Sequence, residues 1–269
     1  MFGLFGTRDN HRQPRSRRHL GDVSVTYAIG DVHGCHQQLV ALLDIIRRDA
    51  MQFKGRKLLV TLGDLIDRGP RSASVLDWLT EPFWPDFERI SLCGNHEAMM
   101  LDFLARPGTG TPWLDNGGWQ TLESYGINLA AFSGASRRNR QAMLDAAIPH
   151  EHIEMLRSMP ALATTSQAIF VHAGIRPGVA IDAQSDDDLL WIRQPFLGTA
   201  FTDGPYIVHG HTPSTVPVFD GRRICVDTGA YATGILTAVR LTDEGTMFLQ
   251  ADSNSARTQN SPTTRRPGD

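Results

Sequence analysis

Short apolar runs alternate with segments whose apolar positions recur at helical spacing. Val23–Ile29 is rich in β-branched and aromatic residues, as strands are. The next segment places Leu39, Val40, Leu42, Leu43, Ile45 and Ile46 at i, i+3/i+4 intervals, the stripe of a helix packed on one face. Lys57–Leu62 and Arg89–Cys93 read as strands, Ser74–Leu79 and Glu97–Leu104 as helices. Further strands are expected at Ala168–Val171, Tyr206–Val208, Arg223–Val226, Gly234–Leu241 and Thr246–Ala251, while Arg106–Met159 reads as helix and loop, with a loop around Trp113–Trp119. The first half is thus βαβαβα, the pattern of parallel strands joined by crossover helices. The closer spacing of the later strands predicts a mixed or antiparallel portion. The fold class is α/β.

Residues 21–251 carry all of this patterning. Residues 1–20 hold five arginines (Arg8, Arg12, Arg15, Arg17, Arg18) and little apolar content; residues 252–269 are rich in Ser, Thr, Arg and Pro. Both are expected to be disordered tails, since neither can bury enough surface to order itself. The net charge of −3 excludes a globally basic nucleic-acid binder. No apolar run reaches the roughly 18–20 residues that span a bilayer. The N-terminal stretch lacks the apolar core of an export signal. With three cysteines, Cys35, Cys93 and Cys225, the cytoplasm is the expected compartment. Only Lys54 and Lys57 are lysines, a bias that reads as codon composition and carries no functional argument.

The candidate chemistry lies where strands end. Val23–Ile29 runs into Gly30-Asp31-Val32-His33-Gly34, and Lys57–Leu62 into Gly63-Asp64-Leu65-Ile66-Asp67-Arg68-Gly69. Arg89–Cys93 runs into Gly94-Asn95-His96-Glu97, Ala168–Val171 into His172-Ala173-Gly174, and Tyr206–Val208 into His209-Gly210-His211-Thr212. Five of the ten histidines fall in these clusters. In open α/β sheets, ligands sit outside the carboxyl ends of the strands. Oxygen donors from Asp31, Asp64 and Asn95 with imidazoles from His33, His172 and His211 suit Mn, Fe or Zn better than a Ca or Mg cage. Six ligands exceed the needs of one catalytic ion. Two divalent ions about 3.5–4 Å apart, sharing a carboxylate, account for the number.

These motifs resemble the three-part signature of the calcineurin-like metallophosphoesterases, in the branch of bacterial and phage-type Ser/Thr protein phosphatases and diadenosine tetraphosphate hydrolases. The similarity runs on through Leu190-Trp191-Ile192-Arg193 and Gly210-His211-Thr212-Pro213 to Asp227-Thr228-Gly229-Ala230. It implies a sandwich of two mixed β-sheets flanked by helices. It also implies that Asp31 and His33 hold one ion, Asp64 bridges, and Asn95, His172 and His211 hold the other, with Mn²⁺ expected and Fe or Zn as alternatives. His96 becomes the general acid, Asp67 its orienting partner, and Arg68 and Arg193 the groups that grip substrate phosphate. Water held between the two metals would attack in line. Pro213 stands where broader relatives carry a further metal-binding histidine, which fits the phosphatase branch. His209 is off the pattern and reads as structural.

Beside these residues, Cys35 and Cys93 read as buried packing, and Trp113, Trp119 and Tyr125 as packing in preference to a wall that stacks on substrate. The expected activity is hydrolysis of a phosphoprotein or a phosphorylated small molecule, foremost as a Ser/Thr protein phosphatase. Hydrolysis of diadenosine tetraphosphate is the alternative, and a non-enzymatic phosphopeptide-binding scaffold a distant third. Nucleic acid and membrane are not expected partners.

Overall fold

The computed structural model describes residues 14–252 and the backbone of residues 256–259. In chain order the elements begin with β1 (Arg17–His19), β2 (Val25–Ile29), α1 (His36–Asp49), β3 (Lys57–Thr61), α2 (Ser72–Thr80), β4 (Phe87–Ser91) and α3 (Asn95–Ala105). Four helices follow: α4 (Trp119–Ser124), α5 (Leu129–Gly134), α6 (Arg137–Ala147) and α7 (His150–Ser158). The chain continues through β5 (Leu162–Thr164), β6 (Ala168–Val171), α8 (Asp186–Trp191), β7 (Tyr206–His209), β8 (Val218–Asp220) and β9 (Arg223–Cys225). It closes with α9 (Ala230–Thr233), β10 (Leu236–Thr242), β11 (Gly245–Ala251) and β12 (Ala256–Gln259).

Two six-stranded sheets form, ordered β1-β5-β6-β7-β9-β8 and β12-β11-β10-β2-β3-β4. The βαβαβα reading holds: β2, β3 and β4 pair in parallel. Antiparallel β10 then joins β2, and β11 joins β10. In the other sheet β6, β7 and β9 are parallel, with antiparallel β5 and β8 beside β6 and β9. Both sheets are therefore mixed, and the expected sandwich is what forms. Ala28, Leu58, Val60 and Leu62 of one sheet pack against Phe170, Val208 and Ile224 of the other. Burial on both faces explains why these strands read as near-continuous apolar runs. Helix α1 buries Leu39, Leu42, Leu43, Ile45 and Ile46 and covers the outer face of β10 and β11.

Strands β5 and β8 were not expected, and three further regions contradict the sequence reading. Arg17–His19, inside the expected N-terminal tail, adds a parallel strand to the edge beside β5. Edge pairing uses backbone groups and needs no apolar side chains. The segment is also pinned by Arg15, which donates to the carbonyls of Leu156 and Met159, and by a 2.8 Å pair between Arg17 and Asp186. Ala256–Gln259, inside the expected C-terminal tail, pairs with β11 for the same reason. The remainder of those two tail readings, residues 1–13, 253–255 and 260–269, lies outside the described residues. The expected loop around Trp113–Trp119 is instead a wide helical turn over Leu114–Gly118. It breaks at Gly117, whose φ of 111° is open to glycine.

Candidate metal centre

The five motif-bearing strand ends meet at one edge of the sandwich. The His211 N–H, after β7, donates to the Asp31 carboxylate, after β2 (3.1 and 3.2 Å to its two oxygens). His172 Nδ1, after β6, lies 3.0 Å from the carbonyl of Leu62, after β3. Asn95 Oδ1, at the start of α3, sits 2.8 Å from His172 Nε2 and 2.9 Å from His211 Nδ1.

The loops fold tightly to achieve this. The non-glycine residues with left-handed φ among the described residues are His33, Asp64, Asp67, Arg68 and His211. All five are site residues, and such strain concentrates where the surrounding structure imposes a functional geometry. Two glycines are required by close approach. A Cβ on Gly94 would collide with Asp64 Oδ1, and one on Gly210 with Asp31 Oδ1.

Asp64 is the hub. Its carboxylate lies 3.7 Å from His33 Nε2, 3.8 Å from His96 Nε2 and 3.4 Å from His172 Nε2. Among the described residues two groups have the spacing to hold an ion: His33, Asp64 and His96, and Asp64, His172 and His211. Asp64 is common to both. Asp31 belongs to neither group and joins them through the backbone of His211. All six expected ligands are buried.

The donor chemistry fits dications. Burial raises the Asp31 carboxyl well above its usual range, and the negative charges of Asp227 and Asp64 add to that. Burial also raises Asp227. Asp64 ends well below its usual range, because His172, His96 and His33 outweigh the desolvation that pushes it up. Carboxylates crowded out of water in this way call for positive charge among them. Two of the imidazoles suit a ligand's role, whereas at His172 the lowering by burial is outweighed by the Asp64 carboxylate, which leaves it above its ordinary value. His33 Nδ1 faces the Ile66 carbonyl at 2.8 Å, which can only accept, so Nδ1 carries the proton and Nε2 offers its lone pair. Burial lowers His33 and His211 to about 3.

Beside the hub, His96 Nδ1 lies 2.6 Å from Asp67 Oδ2. Burial lowers His96, but the Asp64 and Asp67 carboxylates outweigh it and leave the imidazole above its ordinary value. Arg68 reaches His33 Nε2 at 3.0 Å and His96 Nε2 at 3.2 Å. Arg193 lies on the exposed rim, its guanidinium 3.5 Å from the carbonyl of His211.

The expected site residues lie close together, Arg193 at the margin, but His96, expected as the acid, falls in an ion-spaced group and Asp31, expected as a ligand, does not. His209 stays outside both ion-spaced groups, its ring edge-on to Phe196 at 5.0 Å. The three cysteines are buried packing residues; burial pushes the Cys35 thiol to about 11 and Cys225 to about 12. Trp113 is buried, yet its indole N–H donates to Asp67 Oδ2 at 2.8 Å, and the Thr121 hydroxyl donates to Oδ1 at 2.6 Å. Glu97 accepts the N–H groups of Gly94, Asp64 and Leu65, each at 2.8 Å, and so ties two metal-site loops together. For these supporting residues the sequence offered only two hints: Glu97 at the third position of its helix, and Asp227 in another Asp-and-Gly strand end.

Serine/threonine-protein phosphatase 1 of Salmonella typhimurium is 32% identical over 221 residues, spanning 80% of this chain and 91% of that one. Bis(5'-nucleosyl)-tetraphosphatase PrpE of Halalkalibacterium halodurans is 26% identical over 234 residues, spanning 79% and 88%. The cold-active protein-tyrosine phosphatase of a psychrophilic Shewanella species shares the fold, with a TM-score of 0.57 at 16% identity over 91% of this chain and 83% of that one. Residues 25–240 match the calcineurin-like phosphoesterase family, and the chain belongs to it, as a metal-dependent phosphoester hydrolase.

Proposed function

We propose that the chain is a Ser/Thr phosphoprotein phosphatase working in the cytoplasm. The observation that carries the reading is the buried His96–Asp67 pair, 2.6 Å apart, set beside the carboxylate common to both ion-spaced groups. A proton donor next to a dication cluster is what cleavage of a phosphate ester with a poor leaving group requires. The relative named for Ser/Thr phosphatase activity, 32% identical along most of both chains, supports the substrate class.

In this reading Asp31, His33, Asp64, Asn95, His172 and His211 hold two dications, Mn²⁺ first, with Fe or Zn as alternatives. When bound, such a pair lowers the pKa of the attacking water and neutralises the phosphoryl oxygens. The protein's own groups do the rest. Arg68 and Arg193 hold the phosphate, Arg68 beside the hub and Arg193 at the rim. His96 donates its Nε2 proton to the departing alkoxide, while Asp67 fixes the ring through Nδ1 and stabilises its charge. The substrate is a phosphoprotein or a phosphorylated small molecule.

Hydrolysis of a dinucleoside tetraphosphate uses the same groups, and the tetraphosphatase relative spanning 79% of this chain supports that second reading. Parallel turnover of a phosphoserine peptide, a phosphotyrosine peptide and diadenosine tetraphosphate with added Mn²⁺ separates them. Highest kcat/KM on the phosphoserine peptide is expected. Highest kcat/KM on diadenosine tetraphosphate would replace the first reading by the second.

A further inference from the structure

Tyr231 stands at the mouth of the metal site and is used by nothing so far described. It lies in α9, a single turn bounded by left-handed glycines, Gly229 (φ 60°) and Gly234 (φ 74°). The Asp227 carboxylate fixes the start of that turn by accepting the Gly229 N–H at 2.9 Å. Tyr231 is 43% exposed. Two site residues contact it. The Arg68 guanidinium carbon lies 4.7 Å from the ring centroid, and the His33 ring meets it edge-on at 5.2 Å and 86°.

The arrangement bears on how Arg68 can work. Its in-plane N–H groups point at His33 Nε2 and His96 Nε2. His33 Nε2 is the nitrogen whose lone pair is free for a metal, because Nδ1 donates to Ile66. His96 Nε2 is the atom that must carry the acid proton. In the working site neither can go on accepting from Arg68. A face contact with an aromatic ring, by contrast, leaves every in-plane N–H free for two-pronged binding of phosphate. The backbone of Arg68 is itself in the left-handed region (φ 66°), with its N–H 3.3 Å from the Gly117 carbonyl, so the stem is fixed and the long side chain is what remains to be held.

We propose that Tyr231 is the positioning residue for Arg68, holding its guanidinium by the ring face so that the N–H edge stays presented to substrate phosphate. The proposal rests on Arg68 being a phosphate ligand, as in the proposed function, and acts through Arg68 without contact between Tyr231 and the reacting atoms.

The test uses the Mn²⁺-loaded full chain and two phosphate probes without an aromatic ring: orthophosphate, titrated calorimetrically, and a phosphoserine peptide as substrate. Tyr231→Leu keeps apolar bulk and removes the π face; Tyr231→Phe keeps the face and removes the hydroxyl. Tyr231→Leu should weaken orthophosphate binding and raise KM by about three- to tenfold, with a smaller change in kcat and unchanged metal content. Tyr231→Phe should restore wild-type affinity. On an Arg68→Ala background Tyr231→Leu should add nothing further. Orthophosphate affinity lost in Arg68→Ala but retained in Tyr231→Leu would overturn the proposal, as would a Tyr231→Leu defect of full size on the Arg68→Ala background. Wild-type affinity in Arg68→Ala itself would instead overturn the assignment of Arg68.

Discussion

His96 Nδ1 and Asp67 Oδ2 lie 2.6 Å apart in a pocket closed to solvent. The carboxylate accepts from the imidazole, so the proton on Nδ1 is fixed, and in the proposed mechanism the second nitrogen, which faces Arg68 at 3.2 Å, exchanges a proton with substrate. His96→Asn should lower kcat on an alkyl phosphate by about 10²–10⁴-fold. The loss should be much smaller on nitrophenyl phosphate, whose leaving group needs no proton. A uniform loss on both substrates would mean that His96 holds the site together without acting as its acid.

Asp67 also takes the Trp113 indole N–H and the Thr121 hydroxyl. A buried carboxylate that loses a donor is left partly unsatisfied. Trp113→Phe and Thr121→Val should each destabilise the fold by about 1–3 kcal/mol. Each should also lower kcat on alkyl phosphates by less than His96→Asn does. Urea denaturation and steady-state kinetics check the two parts; undiminished stability in both variants would mean that the carboxylate is satisfied another way.

Glu97 joins the Asp64 loop to the Asn95 loop through four backbone N–H groups. Glu97→Gln turns one acceptor oxygen into a donor that opposes those N–H groups. We expect about 2–3 kcal/mol lost in urea denaturation, together with weaker metal binding, measured by competition with a chelating dye. Stability reduced with metal affinity intact would show that the loops hold their geometry without this tie.

Away from the site, the Tyr27 hydroxyl donates to Asp49 Oδ2 at 2.6 Å, and Arg240 pairs with the same carboxylate. Burial and the Asp49 charge raise the Tyr27 pKa in the folded state. A folded pKa above the unfolded one gives stability that is complete below about pH 10 and is lost as pH rises beyond it. Wild-type stability should therefore fall more steeply above that pH than that of Tyr27→Phe. Parallel alkaline limbs in the two proteins would contradict this.

Much of the fold was legible because burial on two faces makes β2, β3, β6 and β7 unmistakable apolar runs. The candidate site was legible because its proposed ligands follow those runs within a few residues. Strands β1 and β12 were hidden for the opposite reason: they pair through backbone at sheet edges, and side chains such as Arg17 and Arg18 carry no apolar signal. Trp113 and Thr121 were hidden by distance. They lie 46 and 54 residues from Asp67, and only tertiary packing shows that a core indole also serves as a hydrogen-bond donor. Tyr231 had no signal of its own, since its role depends on where the α9 turn sets the ring.

The most direct test is a metal count. The chain is stripped with chelator and reconstituted with Mn²⁺, excess ion is removed, and metal per chain is measured by mass spectrometry for wild type, His33→Ala and Asp64→Asn. We predict two ions in the wild type, one in His33→Ala, and none retained in Asp64→Asn, whose carboxylate is common to both groups. A single ion in the fully active wild type, or two ions kept by Asp64→Asn, would contradict the account.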